Sequence, residues 1–196
     1  MSGYTVTKKR KGTDFNHILF SIALILLFAS FLSPLFVLMP VQDVLYTPTD
    51  HWFFSPPRTA FVVLILSIVI LAVLIFIKVW LDSNELFKGK FKLAIYIMGI
   101  ISLIFIFLAI NQYRYVNGDG IHINPLFGFS EKHYAWSDIE KAQQTVDGGK
   151  VTFDFVFKNG DTYSMLLNED ERKSWKLLLF TIEEQGLKVK YIQKES

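Results

Sequence analysis

The spacing of apolar residues changes near Asn111. Before it they form three long uncharged runs: 22 residues from Ile18 to Met39, and 18 each over Ala60–Ile77 and Leu93–Ile110. After it they alternate with polar residues. A hydrocarbon core of ~30 Å needs a helix of ~20 apolar residues, with ~17 as the lower bound. Unpaired backbone groups are costly in lipid, so each run is predicted to be helical. None has the polar face of a globular helix. The spacing therefore predicts transmembrane helices over about 18–39, 60–77 and 93–110. It divides the chain into a membrane domain, 1–111, and a soluble domain, 112–196. "KKRK" (Lys8–Lys11) precedes the first run, which is too long and too little like a cleavage region for a signal peptide. Pro34 is expected to kink its far end.

The later pattern has period two. "VTFDFVF" puts Val151, Phe153, Phe155 and Phe157 on one face, with Thr152, Asp154 and Val156 on the other. "YRYV", "GIHIN" and "TYSMLL" behave alike. "NGDG", "DGG" and "NGD" supply the turns, since Asn-Gly and Asp-Gly favour the positive φ of tight hairpins. An antiparallel meander follows. Asn168 and Glu171 offer a capping box to a closing helix, and Gly186 offers its end. Trp175, Leu178, Leu179 and Ile182 form its apolar stripe. In "KHYAWSDIEK", Tyr134 and Trp136 end a strand in the core. Ser137 and Asp138 turn a corner by bonding nearby backbone, and Ile139 re-enters the core.

Composition agrees: 52% of the 196 residues are hydrophobic, and the mean hydropathy is +0.35. With no cysteine, disulfides, thiolate metal sites and Cys nucleophiles are excluded. From Gln112 onward 11 Lys/Arg face 13 Asp/Glu, net −2, which disfavours nucleic acid as a partner. Lys8, Lys9, Arg10, Lys11, Lys78, Lys88, Lys90 and Lys92 flank one side of the runs, against Arg58 and Arg114 on the other. Eight against two puts the N-terminus in the cytoplasm and the C-terminal domain outside. Tyr46, Trp52, Phe53, Phe54 and Trp80 suit interfacial aromatic belts. No ionisable residue lies inside a run, which argues against a self-contained pump.

"DGIHI", "YAWSDIEKA", a Phe-rich strand, "KNGDTYSMLL" and a final amphipathic helix follow one another over Gly118–Gly186. This series resembles the bacterial pleckstrin-homology-like domain family, whose members often follow transmembrane helices in bacterial membrane proteins. Trp136, Asp138, Ile139 and Gly160 match its recurrent positions. The resemblance implies an α+β membrane protein: three transmembrane helices, then a PH-like curved antiparallel β-barrel capped by one C-terminal helix. It does not imply phosphoinositide binding, and Asp119, Glu131 and Asp147 occupy turns or loops where a basic cluster would be needed. It is also compatible with an accessory role in export or in immunity against membrane-active peptides.

Chemistry-bearing motifs are sparse. The four histidines, His17, His51, His122 and His133, show no zinc-ligand spacing, and there is no GxSxG, P-loop or GxGxxG. No cofactor or metal is expected. His122 and His133 fall on strand exteriors and are expected to face each other across a sheet. The residues, together with what the resemblance implies, suggest a non-enzymatic scaffolding module in a bacterial cell membrane, contacting the bilayer and a partner membrane protein or peptide. Its expected contacts are His122, His133, Asp154, Trp52, Phe53 and Phe54. The competing expectation is an integral membrane enzyme using His122, His133 and Asp138.

Overall fold

The computed structural model describes residues 11–84, 86, 89–128, 130–167 and 171–194. The chain divides into two units: residues 1–44 with 58–111, and residues 45–57 with 112–196.

The first unit is helical. Helix α1 (Lys11–Ser33) passes through a π-helical turn (Pro34–Leu38) into α2 (Met39–Tyr46). Proline has no N–H, so Pro34 cannot donate to the carbonyl of Ser30. The Ser33 hydroxyl donates to that carbonyl instead, at 2.7 Å, and the Met39 N–H bonds Pro34 O to close the wider turn. The expected kink is thus a π turn with its freed carbonyl re-satisfied. Helix α3 (Arg58–Ser83) packs against both α1 and α4 (Gly89–Asn111). Three helical stretches, Phe15–Tyr46, Arg58–Ser83 and Gly89–Asn111, are long and apolar enough to cross a membrane.

Burial in this unit follows size more than polarity. Ala23, Ser30, Ala60, Ser67, Ala72, Ser102 and Ala109 are buried, while Phe28, Phe36 and Phe107 are more than 60% exposed. Small side chains let helix backbones approach closely. Ser102 Oγ then donates to Ser67 O across the α3–α4 seam at 2.5 Å. Buried Gln42 donates through Nε2 to Ile110 O at 2.7 Å, covering a carbonyl at the end of α4 that has no helical donor.

The second unit holds two four-stranded sheets around one core. In the first, β1 (Phe53–Ser55), β2 (Tyr113–Val116), β3 (Gly120–Asn124) and β4 (Lys132–Ala135) pair antiparallel in chain order. The second runs β7 (Thr162–Leu167), β6 (Lys150–Phe157), β5 (Ile139–Asp147), β8 (Val189–Lys194). Helix α5 (Glu171–Glu184) crosses from β7 to β8.

Several expectations are corrected here. The sheets do not close into a barrel. They are separate, and a 3-10 turn at Trp136–Asp138 carries the chain from one to the other. The pairing is not wholly antiparallel, because β5 and β8 run parallel. Strands β5 and β7 both oppose β6, and a helical crossover returns the chain beside β5 in the same direction. The helix therefore does not end the fold. Residues 45–57, expected in the membrane domain, group with the second unit because Phe53–Ser55 pairs with Arg114–Val116.

The core takes Val116, Ile121 and Tyr134 from the first sheet, Phe153, Phe155 and Phe157 from the second, and Leu178 and Ile182 from α5. Burying each large side chain stabilises by ~1.5–3 kcal/mol before entropy is counted. Leu179 packs at its edge. The capping residue Asn168 lies outside the described residues, as do the side chains of Glu171 and Trp175. At the far end, Gly186 (φ 76°) donates to Glu183 O and Leu187 N–H reaches Ile182 O, a Schellman closure. The corner is tied down twice. Asp138 accepts the Ala135 N–H at 3.3 Å, and Trp136 Nε1–H donates to Asn117 O at 3.2 Å. Arg114, buried on the core side, donates to Leu166 O at 2.9 Å and so links β2 to β7.

Candidate functional site

Register places one row of side chains across all four strands of the first sheet. Phe54 pairs with Tyr115, Tyr115 with His122, and His122 with His133. The adjacent row, Phe53, Val116, Ile121 and Tyr134, enters the core, so the first row faces away from it.

The rings of this outward row stack. Tyr115 and His122 have centroids 4.2 Å apart with planes at 8°, and His122 and His133 lie 4.3 Å apart at 19°. Tyr113, two residues before Tyr115, extends the stack at 6.4 Å. It is flanked in turn by Phe54 at 5.9 Å and Tyr46 at 4.6 Å. The result is an aromatic platform built on paired strands.

One carboxylate organises it. Glu131 accepts from Tyr113 Oη at 2.8 Å, Tyr115 Oη at 3.1 Å and His122 Nδ1 at 2.7 Å. A carboxylate only accepts, so Nδ1 carries the proton of His122. Its Nε2 is buried without a hydrogen-bond partner among the described residues. Burial works to raise the Glu131 carboxyl, but the bonds from His122, Tyr113 and Tyr115 outweigh it and hold it below the ordinary value. Burial, reinforced by the Glu131 charge and hydrogen bond, pushes the Tyr115 hydroxyl up to about 12. Tyr113 rises further from the same causes.

The expected site residues separate into three places. His122, His133 and Phe54 belong to the platform. Trp52 and Phe53 belong to the core side instead: Trp52 stacks on Trp136 at 5.7 Å, and Phe53 is buried. Asp154 lies on β6 of the other sheet, paired with Gln143 and Ser164. Asp138, the third residue of the enzyme expectation, caps its own turn. No hydrogen bond, ion pair or ring contact joins it to either histidine among the described residues. No group of three or more His, Asp or Glu among the described residues could hold a metal ion.

Glu131 and Tyr113 join the site without being among the residues expected from the sequence. Two signals pointed to them: Tyr113 and Tyr115 share strand parity, and Glu131 shares parity with His133 just before β4. Their convergence depends on β2–β3–β4 register, which those short segments do not disclose by themselves.

No family model matches the chain, and no curated protein matches it. Among solved structures it is similar to a chain in the structure of the Spt16D Pob3N heterodimer. That alignment has a TM-score of 0.33 and 12% identity, and covers 43% of this chain and 47% of the other. The chain thus spans about half the length of that structure's chain, and a likeness of this extent carries no argument about function.

Proposed function

We propose that this chain is a non-enzymatic binding module anchored in a bacterial cell membrane. Its N-terminus is cytoplasmic, and its second unit faces outward toward a partner protein or peptide. The aromatic platform on the first sheet is the contact surface. A rigid strip of stacked rings beside a carboxylate suits a partner presenting Arg or Lys, through cation–π attraction and charge.

The observation that carries this reading is the row Phe54–Tyr115–His122–His133, with Glu131 fixed beside it by three donors and keeping acceptor capacity for a partner's cation. The membrane part draws on the burial of small residues and exposure of large apolar ones in the first unit. It also draws on parity. Strand β1 precedes the second long apolar helix and β2 follows the third, and they are neighbours in one sheet. Two crossings between them return the chain to the same side, as a three-span arrangement requires.

The His122–Glu131 pair favours a second reading, general-base catalysis. That reading needs His122 Nε2 to be open to substrate, and this atom is buried between stacked rings.

The test is photocrosslinking in intact cells with benzoylphenylalanine at His133, and at Asp154 on the other sheet as the control. A discrete adduct from position 133 but not from 154 supports the platform as the contact surface. Equal adducts, or adducts from 154 alone, overturn it.

A further inference from the structure

Helices α1 and α4 both pack on α3 and leave a groove of about 450 Å³ between them, within the range of small-ligand sites. Its walls include Phe15, Leu19, Leu74, Tyr96 and Gly99, and Lys78 lies among them. The Lys78 ammonium sits 5.1 Å from the Phe15 ring centroid and 3.5 Å from the Asp82 carboxylate. Lys92 is exposed and lies one turn before Tyr96 on the same face of α4. One cation, Lys78, shared with Asp82, thus stands among the groove's lining residues, and helix periodicity sets Lys92 one turn beyond the Tyr96 wall.

The wall argues against a second protein helix as the occupant. The seams of this unit are built on Ala and Ser, which let backbones close up. The groove is instead walled mainly by Phe, Leu, Ile and Tyr, with Gly99 its one small residue. Lipid tails are as apolar as leucine, so the wall alone cannot select one lipid over another. Selection has to come from the charges.

We propose that the α1/α3/α4 groove, with Lys78 among its lining residues and Lys92 one turn from Tyr96, binds one acyl chain of an anionic membrane phospholipid whose phosphate the two lysines hold. The proposal rests on the membrane reading above. Gly99 provides a clean probe, because a Cβ there meets nothing within 4 Å and its helical backbone needs no positive φ.

The full chain would be placed in nanodiscs of equal parts phosphatidylglycerol and phosphatidylcholine. Retained lipid would then be read by native mass spectrometry. Several-fold enrichment of phosphatidylglycerol is expected. The pair Lys78→Gln and Lys92→Gln should abolish the enrichment while lipid is still retained. Gly99→Phe, or the smaller Gly99→Leu, should displace retained lipid of either kind, with helix content unchanged by circular dichroism. Equal retention of the two lipids overturns the proposal. So does retention indifferent to Gly99, or a dimer that Gly99→Phe separates. Alkaline carbonate extraction keeps the two failures apart. A chain that washes off membranes refutes the membrane reading, whereas an embedded chain without lipid preference refutes only the groove.

Discussion

His122 Nδ1 lies 2.7 Å from Glu131 Oε1, and that contact fixes the tautomer of a ring stacked between Tyr115 and His133. Replacing Glu131 with Gln strands donors on three side chains against one amide oxygen. Bonds to a charged acceptor contribute ~1.5–3 kcal/mol each, and part of that remains with Gln, so a loss of about 1–3 kcal/mol is expected. Hydrogen exchange on the full chain should show faster exchange confined to β2–β4. Unchanged protection there would remove Glu131 from its organising role.

The same cluster sets a pH dependence with two edges. Glu131 is held below its ordinary 4.5, so its contribution is present above that value and is lost as pH falls through the lowered one. Tyr115 is raised from 10.0 to about 12, so its contribution is full below pH 10 and is lost as pH climbs through 12. Tyrosinate absorbance should show a fraction of the eight tyrosines ionising late. Glu131→Gln should move that late phase downward.

Gly120 lies where β3 meets β4. A Cβ there would stand 2.1 Å from Tyr134 O, a backbone atom that cannot turn aside. Gly120→Ala is expected to destabilise the second unit by more than about 1 kcal/mol. Gly118→Ala, two residues earlier with open space around it, should cost less. Thermal unfolding followed by tryptophan fluorescence would compare them.

Phe155 is 1% exposed at the centre of the core, and Phe→Ala in such places costs about 3–5 kcal/mol. Phe155→Ala should therefore loosen the contact of α5 with the sheets. Limited proteolysis near Gln185–Lys188 reads this directly.

The chain has no native cysteine, so single-cysteine labelling is unambiguous. Thr49→Cys and Asn159→Cys should react alike with a membrane-impermeant maleimide on whole cells, and Asn84→Cys should be protected. Labelling of Asn84→Cys alone would invert the orientation. Opposite behaviour of the first two would break the parity argument.

Long-period features were legible in the primary structure. The three apolar runs are helical as expected, in stretches long and apolar enough to cross a membrane. The Phe153/Phe155/Phe157 face and the Leu178/Ile182 stripe met as their periods predicted. The Asn117 and Asn159 turns followed from local chemistry, each side chain accepting a backbone N–H two residues on. What stayed hidden was non-local. Strand β1 has only three residues, and Phe53–Ser55 in isolation carries no strand signal against an expected interfacial belt. Strand β8 needed knowledge of which edge α5 would reach. Glu131 sits between elements, and its role follows from a register that no single segment encodes.

The pairing of β1 with β2 also constrains the order of synthesis. About sixty residues separate the two strands, so at ~5–20 residues per second β1 waits several seconds for its neighbour. Meanwhile Trp52 and Phe53 have no core to enter, because Val116, Ile121 and Trp136 have not yet been made. During that interval the Phe53–Ser55 edge has no strand to pair with, so the first sheet can be completed only after Val116 has been made.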